Sequence, residues 1–286
     1  MVTISEQDSQ HGSGADYVFD PTWVKETERL RTNEAIWDPG TIERLERLGV
    51  TTGWRCLEIG AGCGSVARWL ADRVGPTGRV LVTDLEVRRL VEPRQAEWAL
   101  AELPQVDVRR HDLRTEEFPA AAFDLIHARM LVQHLPDRAT AVARMVRALR
   151  PGGLLFLEDT DSSTLFRSFH SEDFLQDVRA AGYGLMRQSG HDPRGGHVDL
   201  RLLLEAGLET TAEGRAVMVR GGSDQARHYM LWLEFMRPRI TAAGLVGDAR
   251  IELALEEMAD PANHWLSQVL ISTVGRKPVP EGNSTR

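Results

Sequence analysis

The sequence predicts an α/β fold: a seven-stranded, mostly parallel sheet with helices on both faces and a helical cap insertion. Three observations predict it. Short apolar runs alternate with segments of helical periodicity, as in strand-helix-strand units. A glycine-rich turn at 60–64 follows the first apolar run, and acidic residues stand where the first three runs end.

Seven apolar runs have the length and composition of strands. The first five are separated by helical segments, which favours parallel pairing with both faces of the sheet buried. The predicted strands are Arg55–Ile59, Val80–Thr83, Val106–Arg110, Phe123–Ala128, Leu154–Glu158, Thr210–Val219 and Leu266–Val274.

Helical periodicity fills the gaps between these runs. Ser65 is predicted to cap a helix over 66–74, and apolar residues recur at helical spacing over 141–149. Later segments, 172–189, 199–206 and 223–260, are also predicted to be helical. We expect the segments at about 162–196 and 221–263 to form a cap over the ligand-binding edge of the sheet.

Composition limits the remaining classes of protein. The 286 residues favour one domain over 17–275, with a disordered leader at 1–16 and a flexible tail at 276–286. The net charge is 34 − 42 = −8 with both signs interspersed, which disfavours a nucleic-acid partner. Two cysteines, no signal-peptide pattern and no apolar run of membrane-spanning length favour a cytoplasmic protein without a membrane partner.

The glycine-rich turn is the strongest chemical signal. Glycines allow a ligand to approach the backbone, and the following helix N-terminus offers unpaired N–H groups. The spacing Gly60, Gly62, Gly64 differs from the dinucleotide pattern, which requires a glycine where this chain has Ser65. Glu58 lies two residues before the turn, where a carboxylate suits a cationic group of a ligand.

Two further acids follow the next two strands. Asp84 closes the second strand at the position of an acid that accepts both hydroxyls of a ribose. Asp112 closes the third strand, where a carboxylate can receive an exocyclic amine. Strand-end acids are also common in plain turns, but three of them at successive strand ends favour a nucleoside-containing ligand.

These motifs resemble the class I methyltransferases that use S-adenosyl-L-methionine, especially the small-molecule type related to ubiquinone and menaquinone biosynthesis enzymes. The resemblance runs from Tyr17 to about Asp161 and implies a Rossmann-like fold. Its carriers are LEIGAGCG at 57–64, VTDL at 82–85, FDLI at 123–126 and LRPGG at 149–153.

The resemblance also implies roles for individual residues. Glu58 with Gly60, Gly62 and Gly64 would hold the methionine part of the cofactor, Asp84 the ribose, and Asp112 with Leu113 the adenine. Leu85 would also belong to the cofactor site. Tyr17 and Arg29 belong to a segment resembling the part of the family that closes over the cofactor, and Arg129 would border the methionine end.

His134 follows the fourth strand, where the family often has a histidine beside the transferred methyl group. It is a candidate general base or substrate contact, with a histidine satisfied by the backbone as the alternative. We expect His191 and His197 to be solvated in a loop. A metal site is not expected, because 127–130 lacks an acid that could serve as a ligand.

The predicted reaction is methyl transfer to O, N or C of a small, hydrophobic or aromatic metabolite. The helical stripe Tyr229, Trp232, Phe235 and Met236 is expected in the core, with a place in the acceptor pocket as the alternative. Three other functions stay open: a cyclase that binds the cofactor without methyl transfer, an NAD-dependent dehydrogenase, and a methyltransferase acting on macromolecules. A homodimer also stays open.

Overall fold

The computed structural model describes residues 18–92 and 98–280. Seven strands form one sheet in the order β3-β2-β1-β4-β5-β9-β6, and two short strands, β7 and β8, pair separately. The strands are β1 (Arg55–Ile59), β2 (Arg79–Asp84), β3 (Val106–Arg110), β4 (Phe123–Arg129), β5 (Leu149–Asp161), β6 (Glu209–Arg215), β7 (Met218–Arg220), β8 (His264–Leu266) and β9 (Val269–Arg276).

The sheet has the predicted mostly parallel topology. Strands β1 to β5 pair in parallel, and β9 runs antiparallel between β5 and β6. From β1 the chain builds outward through β2 and β3, then returns to place β4 on the other side of β1. Ligands bind at such a reversal in α/β proteins, beyond the carboxyl ends of the strands. The prediction of a Rossmann-like seven-stranded sheet is therefore confirmed.

Helices cover the sheet. Helix α1 packs against α2 and α7, while α5, α7 and α8 form a layer outside the repeated strand-helix units. The helices are α1 (Glu26–Arg47), α2 (Ser65–Val74), α3 (Arg88–Val91), α4 (Arg138–Ala148), α5 (Gln176–Gln188), α6 (Gly195–Glu205), α7 (Asp224–Ala242) and α8 (Asp248–Ala259). In the described part of the chain, no helix combines the length and apolarity needed to cross a membrane.

Helix α1 was not predicted as a helix from the sequence. It carries Glu26 and Glu28 in its first turn and Arg44 and Arg47 in its last, so its charges complement the helix dipole. Its hydrophobic residues are few, but Trp37 is buried against the helices of the cap. So few apolar residues give little helical periodicity in the sequence, although they are enough to hold the helix against the core.

The start of α2 differs from the prediction. Its cap is Gly64, in the left-handed conformation with φ of 96°, and no side chain caps the helix; Ser65 is the first helical residue. A Cβ at Gly64 would stand 2.6 Å from Leu100 Cδ1. The backbone angle therefore favours glycine at this position, and the Leu100 side chain would have to shift to admit a Cβ.

The C-terminal predictions also need correction. The predicted strand over 210–219 is two strands, β6 in the main sheet and β7 in the small one, and the last strand begins at Val269. The predicted helix over 223–260 is interrupted between α7 and α8, around Gly244 and Gly247. Tyr229, Trp232 and Met236 of the aromatic stripe are buried in the core as expected, with Phe235 partly buried against them, but Trp232 also lines the cavity, as the alternative had it.

Candidate active site

A cavity of about 660 Å³ lies at the carboxyl edge of the sheet. The structure brings most of the sequence-predicted site residues together on its wall, while Gly64 lies behind it as the cap of α2 and Tyr17 is outside the described residues. Those on the wall are Arg29, Glu58, Gly60, Gly62, Asp84, Leu85, Asp112, Leu113, Arg129 and His134.

The glycine-rich turn is fixed to the end of β2. The amides of Gly60 and Ala61 both donate to the carbonyl oxygen of Thr83, at 2.8 and 3.1 Å. Gly60 and Gly62 adopt φ of 71° and 61°, which L side chains rarely do. A Cβ built at Gly62 would meet Leu30 Cδ2 at 3.8 Å and Glu34 Oε1 at 3.9 Å, which is ordinary van der Waals contact, so the positive φ rather than crowding favours glycine here.

Asp84 connects the turn to the ribose side of the cavity. Its Oδ2 accepts from the amide of Gly62 at 3.0 Å and its Oδ1 from the amide of Glu86 at 2.9 Å. Burial raises the pKa of the Asp84 carboxyl, against the lowering effect of these two hydrogen bonds. A carboxylate fixed in this way retains lone pairs for a ligand's hydroxyl groups.

The third strand-end acid is held differently. Asp112 accepts hydrogen bonds from the Arg114 guanidinium, with distances of 2.9 and 2.8 Å to its two oxygens, and these lower the pKa of the carboxyl. Nearby, Leu113 is buried and His111 stacks on Phe118 with ring centroids 4.0 Å apart. His111 and Leu113 line this end of the cavity, and their aromatic and apolar surfaces suit a nucleobase.

Glu58 is engaged from the interior of the sheet. Its Oε2 lies 2.7 Å from Nδ1 of His127, the register partner on β4, and Nε2 of the same ring lies 3.3 Å from Oε2 of Glu158 on β5. Burial would lower the pKa of His127, but the two carboxylates raise it to about 9. Glu58, His127 and Glu158 therefore form a buried row of charged side chains. Glu58 is the member of this row that lines the cavity.

Helix α1 extends this row and covers one side of the cavity. Thr41 donates to Oε2 of Glu158 at 2.5 Å and accepts from Arg129 at 2.9 Å, while Arg129 also donates to Asp38 at 2.7 Å. Arg129 is thus held by α1 where it borders the cavity. Arg29, also on α1, forms a two-point ion pair with Glu26, 2.7 Å for each bond.

Glu34 is a cavity residue that the sequence analysis missed. It projects from α1, and its Oε1 lies 3.4 Å from the amide of Ser65 and 3.9 Å from the Cβ position of Gly62. Burial and the neighbouring charge of Asp38 raise the pKa of Glu34 to about 7. No motif marks this residue, because its position depends on how α1 packs over the turn.

Two histidines, His134 and His191, lie next to each other on the wall of the cavity. His134 ends a 3-10 helix at Val132–His134, and its ring centroid is 4.8 Å from that of His191. His191 is only 3% exposed, so the expectation of a solvated loop histidine is wrong for it, whereas His197 is exposed. Burial lowers the pKa of His134 well below its ordinary value and that of His191 to about 4.

The cap supplies the apolar part of this wall. Tyr183 and Met186 come from α5 and Trp232 from α7; the rings of Tyr183 and Trp232 are 5.6 Å apart, and Trp232 Nε1 donates to Met186 Sδ at 3.3 Å. His228 on α7 lies against α1 and has a pKa lowered to about 3 by burial. Among the residues that the structure describes, no three acids, histidines or cysteines are grouped to hold a metal ion.

The two ends of the cavity fit the cofactor that the motifs imply. Gly62, Asp84 and Asp112 all line the cavity, and they suit an amino acid, a ribose and a base, respectively. Acidic groups lie near the amino-acid end, namely Glu34 and Glu58. They suit a ligand carrying an ammonium and a sulfonium.

Comparison with known proteins gives the same picture for the first part of the chain. Residues 57–155 match the family model described as a methyltransferase domain. The chain is 39% identical over 126 residues to nocamycin O-methyltransferase of Saccharothrix syringae, covering 44% of this chain and 45% of that protein. It is 37% identical over 114 residues to trans-aconitate 2-methyltransferase of Azoarcus sp. (strain BH72), covering 40% and 42%. These matches span less than half of each relative.

A relative named as a ubiquinone/menaquinone biosynthesis C-methyltransferase, from Saccharophagus degradans, is 33% identical over 126 residues, covering 44% of this chain and 49% of that protein. The solved structure of a putative methyltransferase from Bacillus halodurans C-125 shares the fold, with a TM-score of 0.53 and 19% identity over 83% of this chain and 98% of that one. Residues 57–155 therefore match a methyltransferase domain, and part of the chain is similar to the ubiquinone and menaquinone biosynthesis C-methyltransferases.

Proposed function

We propose that the chain transfers a methyl group from S-adenosylmethionine to a small, hydrophobic or aromatic metabolite. One observation carries the proposal: a single cavity joins the glycine-rich turn and its strand-end acids to the apolar wall formed by the cap. A cofactor held at the first end presents its reactive group toward the second. The likeness to nocamycin O-methyltransferase supports an acceptor from specialised metabolism.

Within this proposal, the predicted cofactor residues act through specific contacts. Asp84 accepts the ribose hydroxyls with the oxygen lone pairs that its backbone bonds leave open. Asp112 and Leu113 border the adenine. Gly60 and Gly62 allow the methionine part to lie against the backbone, while Glu58 and Glu34 supply negative charge beside it.

The cofactor supplies a sulfonium whose methyl group is already activated for displacement. The protein therefore has to align the acceptor and exclude water, and alignment alone contributes about 7 to 11 kcal/mol in favourable cases. The burial of Tyr183, Met186 and Trp232 makes the acceptor end dry. His134 is placed to accept a proton when the acceptor atom carries one.

A thermal-shift comparison tests the cofactor assignment. S-adenosylhomocysteine at 100 times its Kd should stabilise the protein by about 2.7 kcal/mol, and NADH should not. Asp107, an exposed β3 acid, provides a matched control: Asp107→Ala should keep the shift and Asp84→Ala should lose most of it. Stabilisation by NADH but not by S-adenosylhomocysteine would overturn the proposal in favour of a dehydrogenase.

A small-molecule acceptor is favoured over a macromolecular one. The net charge of −8 opposes binding to a nucleic-acid backbone, and the acceptor end lies beneath α5 and α7. Binding of the protein to a duplex DNA or RNA oligonucleotide at micromolar concentration and physiological salt would contradict this part of the proposal.

A further inference from the structure

His191 is a buried residue that nothing in the glycine-rich motif or the matched domain accounts for. It lies outside residues 57–155, is 3% exposed and adjoins the cavity. Within residues 18–92 and 98–280, neither ring nitrogen has a hydrogen-bond partner. Buried polar side chains nearly always have such partners, so this pair of open nitrogens indicates a missing ligand.

The ring of His134 lies beside that of His191 and limits which ligand groups can bind there. Nε2 of His134 lies 3.3 Å from Nε2 of Gln133, and its ring faces that of His191 with centroids 4.8 Å apart. Both imidazoles are neutral at physiological pH, because burial depresses their pKa values. A neutral imidazole offers one N–H donor and one acceptor nitrogen, which is the complement of a hydroxyl group.

The surroundings of the pair disfavour a charged ligand group. The nearby Arg138 guanidinium donates to the carbonyl oxygens of Val132, Gln133 and Gly190 and to Asp192. These partners offset its positive charge. Arg29, whose charge also acts on His134, is paired with Glu26. A carboxylate or phosphate at the histidines would therefore lose its hydration and would have to compete for cations that already have acidic partners.

The shape and composition of the wall favour a flat apolar skeleton. The ring of Tyr183 lies 5.7 Å from that of His191 and 5.6 Å from that of Trp232, and Met186 fills the space beside them. Aromatic and thioether groups pack well against an unsaturated ring. This part of the cavity therefore suits a hydroxylated aromatic or enolic molecule.

We propose that His134 and His191 together bind a phenolic or enolic hydroxyl of the acceptor, which makes the reaction an O-methylation. This inference rests on the proposed methyltransferase function. An O–CH₃ bond forms as the S–CH₃ bond breaks, and S-adenosylhomocysteine leaves. The hydroxyl proton passes to Nε2 of His134, which exchanges its hydrogen bond from the Gln133 amide for the one from the hydroxyl, and then to solvent. His191 orients the hydroxyl oxygen toward the methyl group.

The test compares two probes that differ only by one hydroxyl group, 1-naphthol and naphthalene. Each is titrated into the protein saturated with S-adenosylhomocysteine. The wild-type protein should bind 1-naphthol at least tenfold more tightly than naphthalene. His191→Phe should remove this preference, and His191→Gln, whose amide keeps a donor and an acceptor, should restore most of it. His170→Phe, at an exposed histidine, is the control and should change nothing.

The affinity for S-adenosylhomocysteine separates the two proposals. It should stay within twofold in both His191 variants, and a wild-type protein that does not bind S-adenosylhomocysteine would overturn the proposed function itself. Equal binding of the two probes, retention of the preference in a folded His191→Phe protein, or failure of 1-naphthol to bind at millimolar concentration would overturn the hydroxyl site alone.

Discussion

His127 Nδ1 lies 2.7 Å from Oε2 of Glu58, so the acid of the glycine-rich motif is held by an imidazole from the neighbouring strand. The other ring nitrogen lies 3.3 Å from Glu158. One buried ring thus bridges two buried carboxylates across β1, β4 and β5. The arrangement fixes the direction of the Glu58 side chain at the methionine end of the cavity.

Replacing this ring is expected to weaken the fold. His127→Gln leaves Glu58 buried without its cation, and losing one partner of a buried ion pair costs about 3 to 5 kcal/mol. Urea unfolding should show a loss of this size, whereas His170→Gln at the surface should be neutral. A loss under 1 kcal/mol would contradict the ionic bridge.

The raised pKa of His127 predicts that the stability of the protein depends on pH. The pKa of His127 is raised from 6.5 to about 9, so its stabilising contribution is complete below about pH 6.5 and disappears as pH rises toward 9. The stability difference between the wild-type protein and His127→Gln should therefore shrink between pH 6.5 and 9. A difference that stays constant across this range would exclude a charged ring.

Asp84→Ala is expected to weaken cofactor binding at least tenfold. The variant loses hydrogen bonds to a charged acceptor, each worth about 1.5 to 3 kcal/mol, and it also loosens the Gly62 amide. Calorimetric titration with S-adenosylhomocysteine measures the change, with Asp107→Ala as the control. An unchanged Kd in a folded Asp84→Ala protein would remove this residue from the site.

Glu34 should release a proton when the cofactor binds. Its pKa is raised to about 7, so the carboxyl is about half protonated at pH 7, and a ligand ammonium beside it favours the ionised form. Titrations with S-adenosylhomocysteine at pH 7, in buffers of different ionisation enthalpy, should show release of up to about half a proton. Glu34→Gln should abolish the release, and Glu46→Gln, on the exposed side of α1, should not. Equal release by Glu34→Gln and wild-type protein would place the titrating group elsewhere.

His134→Ala is expected to lower kcat roughly a hundredfold to ten-thousandfold, with the cofactor Kd little changed. Because burial holds the pKa of His134 well below 6.5, the acid limb of the rate should lie below that value. The pH profiles of kcat for the two proteins measure this. A variant with wild-type kcat and the same acid limb would leave His134 without a role as base.

The central strands β1, β2 and β4 were predictable because each is a short, largely apolar run, and β1 begins and ends where the sequence indicates. The bounds of β6 were not, because ETTAEGR is polar and exposed. The strand-end acids were predictable because parallel strands bring their carboxyl ends to one edge. Glu34 and His191 were not, since their positions depend on the packing of α1 over the turn and of the 189–194 loop under the cap. The sequence predicted Glu58 at the cavity, but its ion pair with His127 could be identified only from the register of β1 and β4.

The most direct test of the central claim follows the methyl group itself. The protein is incubated with S-adenosylmethionine carrying a deuterated methyl group and a panel of phenolic and enolic metabolites, and products are analysed by mass spectrometry. We expect a labelled methyl ether and one S-adenosylhomocysteine per product molecule. A product formed without the label, with no S-adenosylhomocysteine released, would contradict methyl transfer and indicate a cyclase that only binds the cofactor.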